Sequence, residues 1–184
     1  MKKKFIFLLV LLSLSNSYAN ANNLKTIASL EKGGKLVFIR HAIAPGGGDP
    51  DDFDVKDCSS QRNLNQVGVN QAKRIGNFFR DNKILIDQVL SSEWCRCKDT
   101  AYNAFIEYKT FNPLNSYFSP KFYKNKDQQV KNLRNFVNNW DSEKNIVFIT
   151  HYIVISDVLG ISVNSGTIIV ADKNFKVIGT IDTK

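Results

Sequence analysis

Histidine is scarce in this chain: 184 residues carry two, His41 and His151. The cysteines number three, and Cys95 and Cys97 sit closer together than the usual zinc-ligand pair, so a zinc site is not expected. The N-terminal apolar run, Phe5 to Leu12, falls short of the about 20 residues that a membrane-spanning helix needs. There is no stripe of Lys and Arg interleaved with aromatics; the nearest approach, Lys121 to Lys131, reads as a solvated face, and a nucleic-acid partner is not expected. No internal repeat occurs, and no low-complexity tract outside the N-terminus. Between Glu107 and Asp127 there is no carboxylate at all, a gap that bears on any acid–base chemistry.

What is present begins with an export signal at residues 1–21. Lys2, Lys3 and Lys4 form its basic end, the apolar run follows, and Ala19, Asn20 and Ala21 make a small-x-small cleavage site. Cleavage after Ala21 starts the mature chain at Asn22; cleavage after Ala19 starts it at Asn20. No stable membrane insertion is then expected, and the location is periplasmic or extracellular. The formal charge of +8 drops by the three lysines that leave. The spread, moderate basic excess that remains suits an anionic substrate. The full chain is 43% hydrophobic, and residues 22–184 suffice for a single domain with one core.

Leu36, Val37, Phe38 and Ile39 run straight into Arg40 and His41, and a Gly-rich loop, Pro45 to Gly48, follows. A matching run, Ile146 to Thr150, ends in His151. Both read as buried strands. Ligands of open α/β sheets bind at the carboxyl ends of strands, so the pattern places both imidazoles at one crevice. Helical spacing is expected over Gly68 to Asn82, with Val69, Ala72, Ile75, Gly76 and Phe79 inward, and a strand over Ile84 to Leu90. Ser91 and Ser92 are expected to cap the next helix, on which Trp94, Cys97, Ala101 and Phe105 share a face. A helix over Asp127 to Asp141, a short one through Leu159, and strands Thr167 to Ala171 and Phe175 to Ile181 complete the order. Tyr108 to Lys126, with six aromatics and two prolines, is expected to fold over the crevice as a lid. These elements predict a three-layer α/β/α sandwich with a mostly parallel central sheet.

The loop Ala42 to Gln66 carries Asp49, Asp51, Asp52, Asp54 and Asp57 without the ligand order of a calcium-binding loop; it reads as solvated, with one working carboxylate. Arg96 falls in the first turn of its helix, where a cation opposes the macrodipole. It is therefore either an ordinary surface arginine or one that faces an anion. Arg40, Arg96 and nearby Arg62 around one point would make a site for an oxyanion with several oxygens, phosphate foremost. An imidazole among guanidiniums has its proton affinity lowered and can act as a nucleophile. A second, protonated imidazole would stabilise the transferring phosphoryl group. Nothing in this chemistry requires a metal or another cofactor.

Arg40-His41-Ala42, then Arg62-Asn63-Leu64 with Gly68 and Gln71-Ala72, then Ser91-Ser92 with Arg96-Cys97 and Thr100-Ala101, then Thr150-His151, resemble the histidine phosphatase superfamily in content, order and spacing. Ala42 to Pro45, Gly48-Asp49-Pro50 and Asp57-Cys58 are most similar to its small periplasmic branch, which includes lipopolysaccharide core heptose phosphate phosphatases. The resemblance implies a phosphoglycerate mutase-like fold and a metal-independent phosphatase that forms a phosphohistidine on His41. It also implies a phosphate pocket of Arg40, Arg96 and His151 bordered by Arg62. Two positions depart from the pattern. Ala42 stands where the family usually has Gly. The glutamate expected downstream of the second motif is absent, and Tyr152 follows His151 where the acid-phosphatase branch has Asp. Asp49 is the first candidate for proton donor, with Asp52 and Glu93 behind it.

The expected function is hydrolysis of an exported phosphomonoester, an envelope sugar phosphate being the natural class, with a small phosphorylated molecule or glycan phosphate as partner. The missing glutamate and the export signal weigh against a phosphomutase. The alternative is a non-catalytic phosphate- or phosphoglycan-binding protein; a plain α/β domain with two core histidines would need the whole match to be coincidence. Of the cysteines, Cys58 is expected to pair with Cys95 or Cys97, which point to different sides of one helix; three buried, reduced thiols are the other arrangement.

Overall fold

A strand buried on both faces needs apolar side chains pointing both ways, and β1 (Leu36–Arg40) has them. Val37 and Ile39 enter one core cluster, Leu36 and Phe38 the other. The computed structural model describes residues 23–183; the export segment read at 1–21 lies outside the described residues. In order the elements are a helix α1 over 23–31, then β1, α2 (Gln66–Asp81), β2 (Ile86–Ser91) and α3 (Cys95–Phe105). They continue with β3 (Lys109–Thr110), α4 (Pro120–Tyr123), α5 (Lys126–Asn139), β4 (Asn145–Thr150), α6 (Tyr152–Leu159), β5 (Ile168–Ala171) and β6 (Val177–Ile181).

The six strands form one sheet in the order β3-β2-β4-β1-β5-β6. β3, β2, β4 and β1 run parallel, and β5 and β6 are antiparallel additions on the far edge. One core cluster joins the sheet to Leu30 of α1, Ile75 and Phe79 of α2, and Cys97, Ala101 and Ala104 of α3. The other joins it to Leu133 and Val137 of α5 and Val154, Ile155 and Val158 of α6. The expected three-layer α/β/α sandwich with a mostly parallel sheet is therefore the observed fold.

Helix α2 starts where Asn65 accepts the Gly68 N–H, a side-chain cap. Gly76 lets α2 press on α3: a Cβ there would stand 2.1 Å from the Ala104 carbonyl oxygen. Three local readings need correction. The helix α1 and the two-residue β3 have no counterpart in the sequence-based order. Ser91 ends β2 rather than capping a helix, and Trp94 is the N-cap of α3 without any side-chain cap bond. The connection from Ala42 to Asn65 is built rather than merely solvated. Phe53 is buried against Trp94 and Phe122, and the Gln61 amide nitrogen bonds the Asp54 and Val55 carbonyls. A Cys58–Cys95 disulfide ties it to the start of α3, leaving Cys97 as a buried free thiol. Among the described residues no helix is long and apolar enough to cross a membrane.

Candidate active site

The parallel register pairs Arg40 with Thr150, so the next residue of each chain, His41 and His151, emerges side by side at the carboxyl edge of the sheet. The His41 N–H donates to the Thr150 carbonyl at 3.0 Å, extending the ladder by one bond. The imidazole centroids lie 5.5 Å apart at 65°. His41 Nδ1 is 2.8 Å from the Ala42 carbonyl oxygen, an acceptor, so the ring proton sits on Nδ1 and Nε2 carries the lone pair. Both rings are 2% exposed. Burial first, and then the Arg96 charge, holds each well below the usual 6.5; Arg62 and Arg40 add smaller effects in the same direction. Both imidazoles are consequently neutral near pH 7.

Arg96, second residue of α3 and 4% exposed, does face an anion, and that anion is Asp49 at 2.7 Å. The Asp49 carboxylate accepts three bonds: from Arg96 Nη1, from the Arg62 backbone N–H at 3.0 Å, and from Trp94 Nε1 at 3.1 Å. The residue read as a proton donor is thus engaged as an acceptor that aims Arg96. Arg62 Nη1 bonds the Ala44 carbonyl. Arg40 takes a different place: its Nη1 donates to the Val163 carbonyl at 2.8 Å, and its guanidinium lies 5.5 Å from the centre of the Tyr152 ring. It stands behind the cavity wall rather than in it.

A cavity of about 290 Å³ opens over His41 and His151. Arg62, Arg96, Asp49 and the Gly47-Gly48 turn line one side; Ser116, Phe118, Ser119, Pro120 and Phe122 of the aromatic segment line the other. The segment read as a lid forms that wall, anchored by the buried Tyr117, whose hydroxyl donates to Asp157 at 2.9 Å. Asp51 also lines the cavity, whereas Asp52 and Glu93 do not. Glu93 instead accepts from the side-chain amides of Asn112 and Asn115.

Five buried side-chain polar atoms have no partner among the described residues, and three of them are Arg40 Nε, Arg62 Nε and Arg96 Nε. The Ala42 N–H donates to Thr100 Oγ1 and the Ile43 N–H to Gln71 Oε1, holding the turn after His41. Ser92 Oγ meets His151 Nε2 at 2.9 Å, and Cys97 Sγ lies 3.5 Å from the same nitrogen. Burial pushes the Cys97 thiol up to about 12, so it is not a nucleophile at neutral pH. Ser92 and Asn115 are the site residues that sequence reasoning missed in this capacity. Position 92 was visible as a polar residue after a strand, but nothing local indicates that its partner is 59 residues away.

No family model and no curated protein matches the chain. Solved structures share its fold. The protein histidine phosphatase SixA in complex with tungstate aligns at a TM-score of 0.58 and 14% identity, covering 81% of this chain and 97% of that one. A phosphoglycerate mutase from Thermus thermophilus aligns at 0.58 and 16%, over 80% of this chain and 98% of that one. The alpha-ribazole phosphatase from Shigella flexneri aligns at 0.57 and 16%, over 75% and 90%. The chain has the phosphoglycerate mutase-like fold that these structures share.

Proposed function

We propose that the protein is a phosphomonoesterase of the histidine phosphatase type, with His41 as its nucleophile. One observation carries the reading: Arg62 and Arg96, whose buried Nε atoms have no partner among the described residues, line one cavity with His41, whose Nε2 carries a free lone pair. A buried donor left unpaired costs about 1–3 kcal/mol, and a tetrahedral oxyanion offers several acceptors at once. The tungstate held by the SixA neighbour is such an anion.

In the proposed reaction His41 Nε2 attacks phosphorus, the ester P–O bond breaks, and the leaving oxygen takes a proton. Water then attacks the phosphorus of phosphohistidine, the N–P bond breaks, and inorganic phosphate leaves with His41 again neutral. Arg62, Arg96 and His151 hold the phosphoryl oxygens, with Arg40 adding charge from behind Tyr152. Asp49 serves by fixing Arg96. The carboxyl proposed to protonate the leaving oxygen is Asp51, which lines the cavity with no hydrogen bond or ion pair to another described residue. No step is assigned to a metal.

Export is part of the proposal, supported by the N-terminal signal pattern and by the Cys58–Cys95 disulfide, a bond that persists in oxidising compartments. An envelope sugar phosphate, as in the lipopolysaccharide heptose branch, is the proposed substrate class. The exposed Phe118 and Tyr152, ring centres 5.5 Å apart at the mouth, support a leaving group with an apolar face.

Hydrolysis of p-nitrophenyl phosphate by the mature protein, with acid-quench detection of phosphohistidine, tests the reading. Turnover with label on His41 is expected. Phosphate binding without turnover or label would instead establish the binding-protein alternative, which the engagement of Asp49 by Arg96 favours.

A further inference from the structure

His151 is left a single hydrogen-bonding pattern. Its Nδ1 lies 3.4 Å from Arg96 Nη2 and its Nε2 2.9 Å from Ser92 Oγ. Every nitrogen of a guanidinium is a donor or a spent lone pair, so this 3.4 Å contact favours, without alone enforcing, an unprotonated Nδ1 and a ring proton on Nε2. The far side of Ser92 gives the same answer independently. Ser92 Oγ is 3.1 Å from Asn115 Oδ1. That amide cannot be reversed, because the Glu93 N–H donates to Oδ1 at 2.8 Å while Nδ2 donates to the Glu93 carboxylate. The single hydroxyl proton of Ser92 therefore goes to Asn115, and its oxygen accepts from His151 Nε2–H and, at 3.3 Å, from the Trp94 N–H.

We infer that Ser92 and Asn115 are positioning residues that hold His151 as the Nε2–H tautomer, reserving Nδ1, the nitrogen beside Arg96, for the proton the ring takes up when an oxyanion binds. The inference rests on reading the cavity as an oxyanion site. The charged and titratable groups around the ring are Arg96 and Cys97 from α3, Arg62 and Asp49 from the preceding connection, Arg40 and His41 from the end of β1, and Tyr152 beside it. The arginines oppose a proton on the ring. A bound phosphoryl dianion offsets them, one proton from bulk water adds to Nδ1, and the new N–H donates to an anion oxygen. His41 holds the opposite tautomer, its Nδ1–H on the Ala42 carbonyl and Nε2 free. One imidazole is thus set to attack and the other to carry charge.

Because the chain has two histidines, imidazole nitrogen-15 spectra of the full protein are readable, with His41→Gln assigning the pair. One ring should be protonated on Nδ1 and the other, His151, on Nε2. Inorganic phosphate or tungstate should then protonate Nδ1 of His151 while Nε2–H persists. In Ser92→Ala the His151 ring should mix tautomers, and kcat on p-nitrophenyl phosphate should fall about tenfold to a hundredfold, part of what positioned proton transfer contributes, with KM moving much less. Ser92→Thr should restore both. A wild-type His151 found as the Nδ1–H tautomer would overturn the inference, and that spectrum requires no variant to fold. So would Ser92→Ala with an unchanged tautomer and phosphate response. The spectra need no turnover, so the expected response without hydrolysis would sink the phosphatase reading and leave this one standing, and no response to either anion would end both.

Discussion

Lowering the pH from 7.5 to 5.5 should destabilise the folded chain through its two histidines. His41 and His151 are 2% exposed, and burial followed by the Arg96 charge holds both well below the ordinary 6.5. In the unfolded chain they return to that value and protonate as the pH falls, while in the folded chain they stay neutral. The unfolded state then binds more protons, so stability declines as the pH drops through about 6.5 and goes on declining until the folded values are reached. Each histidine contributes a slope approaching about 1.4 kcal/mol per pH unit. Together they should remove about 3 kcal/mol by pH 5.5, a large share of a typical 5–15 kcal/mol. Among the carboxylates, Asp57, lowered by its bonds to Ser59, loses its contribution below 3.8, and Asp99, raised by burial, changes in the opposite sense. Urea unfolding at pH 7.5, 6.5 and 5.5 measures the effect. His41→Gln should remove about half of it, and saturating phosphate should flatten it, because a bound anion lets the folded site protonate. Stability constant to within about 0.5 kcal/mol over this range would refute the placement of two buried neutral imidazoles among guanidiniums.

The remaining expectations concern catalysis, the disulfide and metals. His41→Ala should abolish turnover of p-nitrophenyl phosphate while the circular dichroism spectrum stays native; retained activity would end its assignment as nucleophile. Arg96→Ala should lose on the order of a hundredfold or more in kcat, and an unchanged rate would remove it from the phosphoryl site. Reducing Cys58–Cys95, which closes a loop across a sequence separation of 37, should cost about 4 kcal/mol in urea unfolding by the chain-entropy model. A chelator should leave turnover unchanged, and a large loss would assign a metal role to the Asp-rich connection.

What was legible in the sequence follows from what is local. Val37 and Ile39 against Leu36 and Phe38 declare a strand with two buried faces, and the spacing of Ala72, Ile75, Gly76 and Phe79 declares a helix, because periodicity depends on each segment alone. The placement of Arg96 in a first helical turn was also visible, along with its conflict with the helix dipole. Its partner was not, since Asp49 lies 47 residues away and is brought there by a connection whose conformation depends on Phe53, Gln61 and the disulfide. The spacing of Cys95 and Cys97 on one helix left Cys58 two partners, and only the fold selects Cys95. Ser92 shows the limit most plainly: a serine before a helix is a cap by local rules, but this hydroxyl lies between a buried imidazole 2.9 Å away and the Asn115 amide oxygen. Asn115 lies in a segment with no periodicity, so its fixed amide could be found only from the fold.

The arrangement of the two histidines is finally a property of strand register. β1 and β4 are parallel neighbours, with Leu36 opposite Ile146 and Arg40 opposite Thr150. Because the strands end level, the first residue beyond each lies at the same height and on the same side of the sheet. Slipping one strand by a single residue would turn every side chain of that strand to the other face, burying Phe38 where Ile39 belongs and carrying His41 away from His151. The same alternation that fills both cores thus holds the imidazoles in place. The large aliphatic and aromatic residues of β1 and β4, none of which touches the cavity, fix the geometry of the site as firmly as the arginines around it. This is why two short apolar runs, each ending in a histidine, could indicate the site before any contact was seen.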